Sequence, residues 1–295
     1  MFFSSQKLFS APNHSIDEDA PLPSTRKKLF LSVMRQHWFS LFLYSLGCAI
    51  LLLPTETWCF LHLLLLKHWL ENPDALLSDY WLSRFLIYLI PFLTVSGPFL
   101  AAPARLMRNW ARGEYENWVS VSKHAISTSW RQTLLLTFLT SCLPLLLYSA
   151  FVYRISVPNM FANILFFTVL ACSILWIMLL PLLYLMSVTY TLPFTHLLWN
   201  GIFLTFQNFG VALKRLLLSA LPIFVLFFFC IIYPYAFALL TAVYLVLCLL
   251  FLYGLHALVS ASYANSVCEQ GLNAYIPGAR VNIGLDSEYS VSEKE

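Results

Sequence analysis

From Gln132 to Cys268 the chain runs for 137 residues with three charged side chains, Arg154, Lys214 and Arg215. A soluble domain is about one quarter charged, so a stretch like this cannot furnish a water-facing surface. The whole chain repeats the imbalance: of 295 residues, 11% are charged and 60% hydrophobic. Lipid is the solvent that suits such a surface, and a chain crossing lipid must satisfy its backbone polar groups within its own helices. The fold class is therefore all-α, a polytopic membrane helical bundle, and a soluble enzyme is excluded.

Apolar runs mark six spans, at about Ser40–Leu65, Phe85–Met107, Thr133–Tyr153, Phe161–Val188, Leu216–Tyr233 and Ala236–Ser260. As one helix the last two would reach roughly 68 Å, against a hydrocarbon core about 30 Å thick. The chain must fold back, and Tyr233-Pro234-Tyr235 is the natural hairpin. Residues 1–35 read as a polar, disordered tail, 36–265 as the membrane domain and 266–295 as a second tail. The long polar stretch before the first run does not resemble a secretory signal.

Cations fix the direction. With the N-terminus inside, the inner segments collect 14 of the 17 Lys and Arg, and the outer ones keep Lys67, Arg84 and Arg154. That bias, with an even number of spans, predicts a cell membrane protein with both termini in the cytoplasm. Two inner connections, Tyr115–Trp130 and Thr195–Arg215, have helical polar and apolar stripes and read as amphipathic helices lying in the membrane interface.

Chemistry-bearing motifs are scarce. Seven cysteines sit mostly in apolar runs without metal spacing, and there is no phosphate loop, GxSxG, HExxH or carboxylate pair within a span. No catalysis, metal or cofactor is expected, and a net charge of +3 gives no reason to expect nucleic acid. The lipid bilayer is the one certain contact. The second span holds Gly97, Pro98 and Pro103 and is expected to be broken, as in transporters whose freed backbone lines a cavity, although prolines also serve there as plain kinks. Glu56, the one acid in an apolar stretch, is placed among the outer headgroups by its distance along the first span. Thr137, Thr140, Asn163 and Ser173 are expected to bond across helices.

The stretch Ser96-Gly97-Pro98-Phe99-Leu100-Ala101-Ala102-Pro103, then Arg105-Leu106-Met107-Arg108-Asn109-Trp110-Ala111-Arg112-Gly113-Glu114, ending Ser129-Trp130-Arg131-Gln132, resembles the YesL-like family of bacterial integral membrane proteins. His196 to Asn200 and Lys214-Arg215 match that family's second interfacial helix more loosely; the longer tail and the segment Lys67–Arg84 depart from it. The resemblance implies an accessory or regulatory subunit beside a carbohydrate ABC uptake system, with no activity of its own carried over. A small transporter using the second span is the alternative. At the inner turn, Arg105, Arg108 and Arg112 recur at spacings of 3 and 4 with Asn109 beside them, a face that either anchors to anionic headgroups or docks a partner with Glu114 positioning an arginine.

The orientation is testable. Single cysteines in a cysteine-free background should react with an impermeant thiol reagent from outside at positions 79 and 159, and not at 18, 123 or 286. Outside labelling at position 123 inverts the topology.

Overall fold

The computed structural model describes residues 23–71, 80–111 and 118–273. Helices follow one another: α1 (Arg26–Gln36), α2 (Trp38–Glu71), α3 (Tyr80–Ala111), α4 (Trp118–Ser156), α5 (Met160–Thr189), α6 (Phe194–Gln207), α7 (Phe209–Ile232), α8 (Phe237–Leu247) and α9 (Tyr253–Gly271). A 3-10 turn over Pro234–Ala236 joins α7 to α8, and a π turn over Cys248–Leu252 joins α8 to α9. No strand occurs among the described residues. Six stretches are long and apolar enough to cross a membrane: Trp38–His62, Leu82–Trp110, Val119–Ser156, Met160–Thr189, Phe209–Ile232 and Leu239–Gly271. The six spans and the proline hairpin are those the hydropathy predicts.

Four expectations are corrected. The segment expected to be a disordered tail is helical from Arg26, because Leu29, Phe30, Val33 and Met34 form an apolar stripe that packs on the bundle and Thr25 caps the first turn, its Oγ1 accepting from the Lys28 N–H. At the other end, helix continues six residues beyond 265, with Val267, Cys268 and Glu269 buried. The first amphipathic segment is no separate interfacial helix. Its described part, from Trp118, runs straight into the third span as the 39-residue α4, since nothing between Trp130 and Thr133 interrupts it. Of the apolar face expected there, Val119 and Trp130 are exposed, while Val121, Ala125 and Ser129 on another face are buried against the bundle. The second is a distinct helix, α6, but it ends at Gln207, and Phe209 to Arg215 already belong to the fifth span.

The fourth correction is the helix break. α3 is continuous from Tyr80 to Ala111, with Pro91, Pro98 and Pro103 inside it. Gly97 serves packing instead. A Cβ there would stand 2.2 Å from Thr137 Oγ1 and 2.9 Å from the Thr133 carbonyl, so only glycine lets α3 approach α4 this closely. With Ala101, Ala102 and Ala104 buried further along, α3 presents the small-residue seam by which membrane helices pack.

The core has two centres. One lies along α5, from Met178 to Val188, with Ala101, Leu136, Leu197, Leu204, Ala264 and Val267 around it. The other joins α1 to the bundle through Val33, Leu41, Leu106, Met107, Trp110 and Leu258. α7 is the least buried of the six spans, with Ala212 and Arg215 its buried residues.

Gly97→Val should lower stability by about 1–3 kcal/mol through overpacking, read as a drop in the thermal midpoint in detergent. Gly47→Ala, where no atom lies within 4 Å of the added carbon, should leave the midpoint at or above wild type.

Candidate functional site: polar groups buried between the helices

The turn singled out by its arginines closes α3. Arg105 and Arg108 are half-buried, while Asn109 and Trp110 are buried; Arg112 and Glu114 lie outside the described residues. Arg108 comes close enough to Cys268 on α9 to act on its thiol electrostatically. Beside Cys268, Glu269 is 2% exposed and accepts from both terminal nitrogens of Arg26, each at 3.3 Å. The acid brought to this end is thus Glu269, which ties α1 to α9. Sequence reasoning left Glu269 in a tail. Its partner is 243 positions away, so no local signal joins them. Next to this group, His37 lies flat on Trp110, ring centroids 4.4 Å apart, and burial pushes its pKa below the ordinary imidazole value.

Gly97, Pro98 and Pro103 gather no polar cavity. Ser96, Gly97 and Pro98 are buried against α4, and Pro103 lies within the run of small buried residues. Polar side chains here hold helices together. Thr137 Oγ1 lies 2.7 Å from the Tyr184 hydroxyl, and Trp176 Nε1 donates to Thr140 Oγ1 at 2.8 Å, both joining α4 to α5. Thr94 and Ser141 meet at 3.2 Å between α3 and α4. Arg154 Nε donates to Asn163 Oδ1 at 2.8 Å, with its guanidinium over the rings of Phe166 and Phe167. Ser173 departs from the expectation: its hydroxyl donates to the Val169 carbonyl in its own helix.

Arg215 is the finding that hydropathy hides. Lys214 is exposed, as an inner cation should be, but Arg215 is 7% exposed between α5 and α9. Its Nη1 donates to the Ile177 carbonyl at 3.1 Å and its Nη2 to Ser260 Oγ at 2.9 Å. The first bond has a covalent cause. Ile177 stands four residues before Pro181, whose missing N–H leaves that carbonyl without its helical donor. The guanidinium supplies one from another helix. A proline inside a span was the available signal for an orphan carbonyl, but not for which donor reaches it.

Glu56 is also engaged across helices. α2 continues to Glu71, so Glu56 is near its middle, and Tyr253 on α9 donates its hydroxyl to Glu56 Oε1 at 2.5 Å. Where the π turn shifts the helical register, the Gly254 N–H donates across to Ser45 Oγ at 2.8 Å.

No family model, curated protein or solved structure matches this chain. The geometry has to speak alone. Among the described residues no three His, Cys, Asp or Glu side chains come together as a metal site. An open groove of about 800 Å³ runs along the start of α5, lined by Pro158, Asn159, Asn163 and Phe167 among others. Its polar groups are already engaged: Asn159 caps α5 and Asn163 binds Arg154. These arrangements rigidify a bundle, and Glu56 is an acid among them that has a hydroxyl rather than an opposite charge for a partner.

If Arg215 serves the carbonyl freed by Pro181, Arg215→Gln should lower stability by about 1.5–3 kcal/mol, the range for a hydrogen bond to a charged group. In a Pro181→Ala background the helix recovers its own donor, and the same change should cost less. Equal losses in both backgrounds, by thermal unfolding in detergent, would uncouple the pair.

Proposed function

We propose that this protein is a multi-pass cell membrane protein with both termini in the cytoplasm, acting as an accessory or regulatory subunit of a bacterial carbohydrate ABC transporter. It works by association and has no catalysis of its own. The observation that carries the reading is α7. Over 24 residues it buries Ala212 and Arg215, while Leu217, Leu218, Leu221, Phe224, Phe227 and Phe228 are each more than half exposed. Such a span is held at its α6 end and offers its length to lipid or to a neighbouring transmembrane helix. The polar groups of the bundle support the same reading, since Thr137, Arg154, Trp176 and Arg215 each join one helix to another. The carbohydrate part rests on the resemblance of the segment from Ser96 to Gln132.

The cytoplasmic side has its own features for association. α6 buries Leu197, Gly201, Leu204 and Thr205 and turns Trp199, Phe203 and Phe206 outward, an aromatic edge suited to the inner headgroup boundary. Docking is assigned to the end of α3, where Arg105 and Arg108 remain half exposed, with Arg112 and Glu114 following in sequence.

One observation favours a second reading, a solute transporter in its own right: the Glu56–Tyr253 pair in mid-span. The unbroken α3 removes the support this reading drew from the second span.

Purification from the native host in mild detergent should bring down permease or ATPase subunits of a sugar uptake system. Arg108→Lys with Arg112→Lys should weaken that association while leaving expression and topology normal, because lysine keeps the charge and loses the planar fork. A chain that purifies without transport subunits, and that moves a solute when reconstituted alone in liposomes, is the transporter of the second reading.

A further inference from the structure

Glu56 stands 18 residues after Trp38 and 15 before Glu71; Tyr253 stands 17 after Ala236 and 18 before Gly271. At 1.5 Å per residue, each is about 22–27 Å from both ends of its helical stretch. The hydrocarbon core is about 30 Å thick, so no slice of that thickness cut from either stretch leaves the residue out. The pair therefore lies within the apolar layer.

The surroundings supply hydrogen bonds and no cation. Tyr253 donates to Glu56 Oε1 at 2.5 Å. From the π turn comes the Cys248 thiol, bonded by the Tyr244 hydroxyl of α8; α2 itself brings Cys59 near Glu56 and Cys48 near Tyr253. Trp58 points to the far side of α2, where it packs on His62 and on Tyr88 of α3. The ion pair Arg26–Glu269 lies towards the other end of α9. Thiols and phenols are neutral at neutral pH, so an ionised Glu56 is a lone charge in hydrocarbon with one strong donor. An acid in that setting is a functional group by default, suited to a proton or ion pathway. A second feature stands beside it. Tyr253 directly follows the π turn, and a π turn is a register shift of the kind that recurs at functional sites.

We propose that Glu56 is an intramembrane proton-binding site, with Tyr253 as the donor that holds its carboxylate when the proton leaves. Binding adds one proton to the free carboxylate oxygen and cancels the charge; no other bond is made or broken. A change of helical register at the π turn moves the tyrosine hydroxyl relative to the carboxylate, which couples the proton to the packing of α9 on α2. This site does not depend on the association with transport subunits.

A hydrophobic carbodiimide tests it, because the reagent enters lipid and modifies a carboxyl group in its protonated form. Membranes holding the full chain are treated at a series of pH values and the adduct on Glu56 is read by mass spectrometry, with Glu56→Gln as the blank. Modification should fall on the order of tenfold as the pH of the series rises. Tyr253→Phe, lacking the donor, should shift the midpoint upward. An adduct at no pH, or one unchanged across the series, overturns the site. Protection by sodium or potassium at fixed pH assigns the carboxylate to a metal cation and overturns the proton. An unmoved midpoint in Tyr253→Phe removes Tyr253 from the site.

Discussion

A backbone carbonyl inside a bilayer has no water to turn to, and this bundle is organised around that constraint. Five of its six spans carry prolines, and each proline takes a donor away from the carbonyl four residues before it. At Pro181 the loss is made good from another helix: Arg215 reaches across and donates to Ile177. That bond places a guanidinium between α5 and α9, and its other arm on Ser260 draws in the last span. Since α7 buries little else, the arginine is the main polar anchor of an otherwise loosely attached helix. A residue that hydropathy counts as one more inner cation thus joins three helices.

Apolar surface gives little reason for helices to associate in lipid, because the tails are as apolar as leucine. What remains is close approach and the few polar bonds. Gly97 allows α3 to close on α4, and Gly254 does the same for α9 on α2, where an added Cβ would stand 2.6 Å from the Leu41 carbonyl. Hydroxyl and indole bonds then fix the register: Thr137 with Tyr184, Thr140 with Trp176, Thr94 with Ser141. At the α1 end the logic shifts towards that of a soluble core, where Val33, Met107 and Trp110 pack together and the Arg26–Glu269 pair closes the seam.

Glu56 and Glu269 are both acids in helices, and their settings differ. Glu269 is satisfied by a guanidinium through two nitrogens and is structural. Glu56 has a neutral hydroxyl for its partner. The same residue type does different work because one lies where chain ends and cations gather and the other where only thiols and phenols reach.

The sequence alone determined the fold class, the six spans and the hairpin at Pro234, because period, length and charge density are local quantities that lipid reads directly. It also marked Thr137, Thr140 and Asn163 as groups that bond across helices. It misread the second span as broken, since local rules for proline and glycine cannot tell a gap from a seam that Thr137 fills. It ended the first span near Leu65, whereas α2 runs on as helix to Glu71. Only the tertiary structure decided which partner meets which group: Arg215 with Ile177 and Ser260, Tyr253 with Glu56, Arg26 with Glu269. Those pairs lie 38 to 243 positions apart, and a hydrogen bond acts over about 3 Å, so no pattern within a helix can announce them.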